Sequence, residues 1–236
     1  MGLRGATRRF FRRLGQPSPG SVNLGDLRRT TPLSRGFGYQ RGTPIDRFYI
    51  EDFLRRHSED IRGDVLEVAD ARYTRAFGGE RVTRSDVIHP VPGNPRATVI
   101  GDLATGAGLE SERYDCLIVT QTLQYLFDLA GAIATFHRVL RPGGVLLLTA
   151  PALSQLSRRD ADAWGEYWRF TSHALRRLLE LEFPPESIQV EAHGNVLAAV
   201  GFLEGLVQED LTSAELEAED PEYELVAMVR AVKPNT

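Results

Sequence analysis

Two stretches, "YDCLIVTQTL" over residues 114–123 and "GVLLLTAP" over 144–151, narrow the fold more than any other feature of the chain. Each is apolar at nearly every position, and a strand of that kind must be covered on both faces, as in a parallel sheet flanked by helices. "VLEV" (65–68), "RVTRSDVI" (81–88) and "ATVIGDL" (97–103) supply three earlier strands. Between the fourth and fifth strands, "DLAGAIATFHRVLRPGG" sets Leu129, Ile133, Phe136 and Leu140 on one helical face. Asp128 can cap its start, and Pro142-Gly143-Gly144 is expected to stop it. Strands alternating with helices predict a doubly wound, Rossmann-like α/β domain with helices on both faces.

Upstream, Ile45, Tyr49, Phe53 and Leu54 share a face, so a helix is expected from Ile45, with Pro44 suited to its first turn. Downstream come a helix around "SHALRRLLELEF", a strand "SIQVEAH", a helical "NVLAAVGFLEGLVQEDL" and a last strand "YELVAMVRAV". "HPVPGNPR" reads as a Pro/Gly loop. Residues 1–36, rich in Arg, Gly, Ser and Pro without a period, read as a basic N-terminal arm, and 37–236 as a single domain.

Net charge is only −4, but Arg dominates the first 60 residues and "EDLTSAELEAEDPEYE" is acidic. This distribution argues against an extended nucleic-acid surface. The Arg8, Arg9, Arg12 and Arg13 group beside Phe10 and Phe11 is either solvated or a basic amphipathic segment for an anionic surface. No apolar run reaches the roughly 18 residues of a membrane span, and the N-terminus lacks a secretion-type apolar core, so a cytoplasmic location is expected. The single cysteine, Cys116, reads as a core residue, and the scattered histidines give no metal set.

Ligands of open parallel sheets bind beyond the carboxyl ends of the strands. Glu67, Asp86, Asp102 and Gln121 are expected at such ends. Asp86 follows Glu67 by about 20 residues, the spacing at which a carboxylate can take a ribose diol. The first loop, "VLEVADARYTRAFGG", is less regular: glycines arrive only at Gly78 and Gly79. It could hold a nucleotide-like cofactor, hold one in a rebuilt way, or have lost it.

"VLEVAD", "SDVI", "IGDL", "YDCLIVTQTLQYL", "RVLRPGGVLLLTAP" and "YWRFTSHALRRLLE" together resemble the class I S-adenosylmethionine-dependent methyltransferases over about residues 40–234. The resemblance implies a seven-stranded sheet with its last strand antiparallel, and S-adenosylmethionine across the first four strand ends. "YWRFT" looks like the subset acting on sugars and other small molecules. By position, Asp86 would bind the ribose, Asp102 and Leu103 the adenine, and Glu67 and Ala69 would belong to the first loop. Gln121 would line the face where methyl donor and acceptor meet, or merely cap its strand.

Ala69, Ala71 and Tyr73 stand where the family places glycines. That counts against a pyrophosphate-bearing cofactor such as a nicotinamide dinucleotide. A methyl donor has no pyrophosphate, and the alanines are tolerable provided their backbone avoids positive φ. Tyr73 must point either away from the strand or toward the cofactor.

An oxygen acceptor would need a general base, for which His193 and Tyr167 are the candidates; His89, His137 and His173 read as structural or exposed. Arg41, Trp168 and Arg169 could cover the site, the arginines as planar forks for an acidic group, although Arg169 could equally pair within a lid. A small-molecule acceptor, O-methylated on a sugar or natural product, is the leading expectation. A methyltransferase fold acting as a non-redox cyclase or binding partner is the alternative.

Overall fold

The computed structural model describes residues 17–235 apart from Pro19, so the basic Arg/Phe group at 8–13 lies outside the described residues. The chain divides at Pro32 and Leu33 into two units, the first holding a short 3-10 turn, Gly25–Leu27, and the second holding the sheet.

The second unit is built on seven strands: β1 (Gly63–Val68), β2 (Val82–His89), β3 (Val99–Ile100), β4 (Tyr114–Thr120), β5 (Leu140–Pro151), β6 (Ile188–His193) and β7 (Val226–Val232). They lie in the order β3-β2-β1-β4-β5-β7-β6. β1 to β5 are mutually parallel, and β7 runs antiparallel to both neighbours. The order reverses between β1 and β4, which sets the crevice for a ligand at the carboxyl ends of those two strands. Among the described residues, no helix is long and apolar enough to cross a membrane.

Alternation along the central strands feeds two cores. Leu66, Leu117, Leu146 and Leu148 face α2 (Leu129–Val139) and α4 (Ser172–Leu179), which contribute Ile133, Phe136, Leu175 and Leu179. Val65, Cys116, Ile118 and Leu147 face α1 (Ile45–Arg56), α5 (Val196–Glu204) and α6 (Ser213–Glu217), with Phe53, Phe202 and Leu216 among the packed side chains. One further helix, α3 (Arg158–Trp164), lies in the segment after β5.

Asp128 caps α2 by accepting from the Gly131 N–H at 3.0 Å, as its position predicts. The helix nevertheless stops at Val139, earlier than its sequence suggests. Pro142-Gly143-Gly144 falls inside β5, where the register against β4 shifts between Tyr114 and Cys116. A bulge needs a residue free of Cβ constraint, and Gly143 sits there at φ 77°. "ATVIGDL" likewise yields only two paired residues: the Gly101 N–H still donates to the His89 carbonyl, but the Asp102 N–H already turns back to the Ala107 carbonyl.

β1 and β2 are joined without an α-helix. The link is a π-helical turn, Thr74–Gly78, followed by a 3-10 turn, Gly79–Arg81. This explains the late glycines: a β-carbon at Gly78 would strike Val82 and Ile61, and Gly79 has φ 57°. They serve the entry to β2 and play no part in the exit from β1.

Candidate active site at the strand ends

The first loop is tied down by its own groups. Glu67, 2% exposed, accepts from the Tyr73 N–H (3.0 Å), the Thr74 N–H (2.7 Å) and the Thr74 hydroxyl (2.7 Å). Burial raises its pKa, and the bonds from Thr74 and Tyr73 oppose that rise. Ala69 donates to the Ile88 carbonyl, and its own carbonyl accepts from Asn94 Nδ2 at 2.7 Å. Asp70 accepts from the Arg72 N–H and pairs with Arg96. Of the backbone N–H groups from 69 to 74, only that of Ala71 has no acceptor among the described residues.

Ala69 corrects an expectation: it adopts φ 69°, the left-handed region that the alanines were expected to avoid. An L-residue there costs about 1–2 kcal/mol. Tyr73 turns away from the strand end. Its ring, 5% exposed, packs in the core under α1, stacks on Phe77 at 6.1 Å and lies beneath the Arg72 guanidinium. Its hydroxyl accepts from Arg47 Nη1 at 3.1 Å, while Arg47 Nε donates to the Tyr39 hydroxyl. Beside Arg47, buried Asp46 has an Oδ1 without a hydrogen-bond partner; burial raises its pKa and Arg47 works against the rise.

Across the crevice, Gln121 is the second strained strand end, at φ 47°. Its N–H donates to the Thr149 carbonyl, and its carbonyl accepts from Gln124 Nε2 at 2.9 Å. Gln121 Nε2 and Gln124 Oε1 are buried and unpartnered. Strained backbone in non-glycine residues concentrates at functional sites. Of the four non-glycine residues at positive φ among the described residues, Phe37, Ala69, Glu112 and Gln121, two stand at the ends bordering the switch point.

A segment of residues 152–170, which includes α3, closes over the turn after β4. The Tyr125 hydroxyl lies 3.5 Å from Asp160 Oδ2, which also accepts from the Ser157 hydroxyl at 2.6 Å. The Tyr167 N–H donates to the Gln124 carbonyl, and Trp168 Nε1 donates to the Leu126 carbonyl. Trp164 reaches the end of β2, its ring edge-on to His89 at 5.6 Å. Burial first, then the Asp160 and Glu166 carboxylates, push the Tyr125 phenol up to about 12.

The residues expected from sequence separate into two groups. Glu67, Ala69, Gln121, Asp102 and Leu103 stand at or just beyond the ends of β1, β4 and β3. Asp102 Oδ1 accepts from the Ala104 N–H, and Leu103 is buried. Asp86 does not stand at a strand end. β2 continues through Val87 to His89, and Asp86 pairs in register with Leu66, 3% exposed. Its carboxylate accepts from Thr98 Oγ1 at 2.9 Å and pairs with Arg84 at 2.9 Å, so neither oxygen faces an open diol site.

His193 ends β6, the sheet edge four strand spacings from β1, about 19 Å away. Its Nδ1 bonds Glu219 at 2.6 Å, and Nε2 lies 3.5 Å from Glu191. Glu191, and then Glu219, hold the imidazole pKa above its ordinary value against the effect of burial. A base is not expected in that position or that state. Tyr167 is 50% exposed, edge-on to Phe127 on the outer rim.

Arg41 is engaged by Asp210 (2.8 and 3.1 Å) and the Gly205 carbonyl. Arg169 is engaged by Glu166 (2.7 Å) and by the carbonyls of Ser154, Gln155 and Trp168. Neither guanidinium is left as a free fork, and Trp168 packs against the core. Sequence reasoning missed Tyr125, Ser157 and Asp160. The available signal was the S-x-x-D spacing of Ser157 and Asp160 at a helix start.

The residues present fit an S-adenosyl cofactor. The Ala71 N–H and the Gln121 amide leave unclaimed donors on the two sides of the crevice, and apolar Leu103 lies beyond β3. When bound there, the cofactor would be held by these groups together with Asp102.

Comparison with known proteins agrees with the fold. A model described as a methyltransferase domain matches residues 35–186. The fold is similar to that of a SAM-dependent methyltransferase from Archaeoglobus fulgidus, at 14% identity and TM-score 0.52, covering 79% of this chain and 94% of that one. It is also similar to an S-adenosylmethionine-dependent methyltransferase from Mesorhizobium loti, at 15% identity and TM-score 0.52, covering 80% and 98%. A third likeness is to Haemonchus contortus phosphoethanolamine N-methyltransferase 2, solved with S-adenosyl-L-methionine, at 14% identity and TM-score 0.52, covering 79% and 52%. No curated protein matches the sequence. With the family model spanning well over half of the chain and the fold in accord, this chain belongs to the methyltransferase-domain family and is an S-adenosylmethionine-dependent methyltransferase.

Proposed function

We propose that the chain methylates a hydroxyl oxygen of a small molecule, a sugar or a natural-product intermediate. The observation that carries this reading is the enclosure beyond β4, where residues 152–170 cover a turn holding two buried, unpartnered amide groups, Gln121 Nε2 and Gln124 Oε1. A buried polar group without a partner costs about 1–3 kcal/mol, so their presence supports a polar ligand of limited size. One group donates and the other accepts, which suits an alcohol, itself both donor and acceptor.

Bound S-adenosylmethionine supplies a methyl group already activated on its sulfonium. The chain's own task is to align the acceptor, exclude water and take up the hydroxyl proton. Asp160, steadied by Ser157 and Tyr125, is the carboxylate we assign to receive that proton. This role replaces the one that sequence suggested for His193 and Tyr167.

Incubation with methyl-labelled S-adenosylmethionine and a panel of neutral glycosides, phenols and primary and secondary amines tests the oxygen acceptor. Label on a hydroxyl oxygen of one acceptor is expected. Label confined to nitrogen acceptors, or cofactor binding with no transfer to any acceptor class, would overturn the proposal.

A further inference from the structure

We propose that the outer face of α5 is a two-fold interface between two copies of this chain. The helix is apolar all round. Ala198, Ala199, Gly201 and Phe202 are buried, Phe202 stacking on Phe37 and Gly201 lying close to Ile45. Yet Val196, Leu197, Val200 and Leu203 are 50%, 43%, 40% and 38% exposed. Positions i, i+1, i+4 and i+7 form one continuous stripe on a helix. Leu33, whose N–H donates to the Glu204 carbonyl at 2.8 Å, lengthens it at the carboxyl end and is 38% exposed.

Five half-exposed aliphatic side chains make an apolar patch on the order of 300–400 Å², within the range where a soluble chain's largest patch is often functional. Two such patches face to face bury about 600–800 Å² of apolar surface, and a polar rim must supply the remainder of the roughly 1,200 Å² at which specific interfaces begin.

Charge selects the occupant. Exposed Arg35 sits at the carboxyl end of the stripe, beside the Leu33 and Ser34 N–H groups bonded to Glu204, whose Oε2 is itself buried. The opposite end is acidic. Asn195 holds the Glu215 and Ala218 carbonyls, and Asp220 donates to the Gly194 carbonyl, so exposed Glu217, Glu219 and Glu222 gather near the start of the helix. Antiparallel pairing of two α5 helices sets Arg35 of each copy against the acidic end of the other, and a two-fold axis makes the contact twice. An anionic membrane would meet the acidic end with repulsion.

Sedimentation of the full chain from about 1 to 100 µM tests the interface. A species of twice 26.3 kDa is expected. Val200→Glu should leave a folded monomer with unchanged circular dichroism. Arg35→Glu should weaken self-association at least about tenfold, and adding Glu217→Arg should restore it. A monomer at every concentration, a dimer indifferent to Val200→Glu, or a monomer that co-sediments with phosphatidylcholine vesicles would each overturn the proposal.

Discussion

The loop leaving β1 and the turn leaving β4 face each other across the same crevice, and both begin with a non-glycine residue at positive φ, Ala69 and Gln121. They differ in what they do with their polar groups. The first loop uses nearly all of them internally: Glu67 collects three donors, Asn94 takes the Ala69 carbonyl, Arg96 takes Asp70 and Arg47 takes the Tyr73 hydroxyl. The β4 turn leaves two buried amide groups without partners and places Tyr125 against an acid carried by the covering segment. Where glycines would let a ligand shape the loop, this chain has a loop already shaped by its own side chains. On the β1 side only the Ala71 N–H is left for recognition, and the buried open amide groups lie on the β4 side.

The contrast can be broken most severely at Glu67. Replacing it with Ala strands two backbone N–H groups and the Thr74 hydroxyl in the interior, and a loss of about 3 kcal/mol or more in urea unfolding is expected. Glu67→Gln, which keeps an acceptor, should lose less.

The matching change on the other side is Asp160→Asn. Here stability should stay within about 1 kcal/mol while methyl transfer to an oxygen acceptor falls by about 10² or more. S-Adenosylhomocysteine affinity should be unchanged. A large stability loss would make Asp160 a structural tie.

Ala69→Gly sharpens the comparison in the opposite direction. Relief of the left-handed strain should stabilise the chain by about 1 kcal/mol, raising Tm by roughly 2–4 °C. No gain would mean that the loop relaxes its strain elsewhere.

The smallest effect is expected far from both regions, at His193. Its folded pKa is raised, so its stabilising contribution is complete below the ordinary 6.5 and fades as pH rises through the raised value. His193→Gln should therefore lose stability at pH 5–6 and little at pH 9 in parallel unfolding curves.

Much of the fold was legible because burial on two faces leaves a direct trace: the apolar runs of β4 and β5 could hardly be anything else. The Asp128 cap was legible because its bond is local. The end of α2 was not, because Leu140 serves a helical face and a strand equally well and pairing with Tyr114 decides between them. Strand-end reasoning located Gln121 and Asp102 but misplaced Asp86: the strand expected over 81–88 already ran past it, and pairing with β3 carries β2 on to His89. Tyr125 and Asp160 meet across 35 residues, and no local pattern encodes that contact. Arg41 and Arg169 suggested ligand forks by residue type alone; only the positions of Asp210 and Glu166 reveal that both are already engaged.

Calorimetric titration of the purified chain with S-adenosylhomocysteine, repeated on Gln121→Ala and Asp86→Ala, tests the account most directly. Micromolar one-to-one binding is expected in the parent, clear weakening in Gln121→Ala, and affinity close to the parent's in a folded Asp86→Ala. Absence of binding in the parent, or loss confined to Asp86→Ala, would contradict a cofactor site built across the ends of β1 and β4.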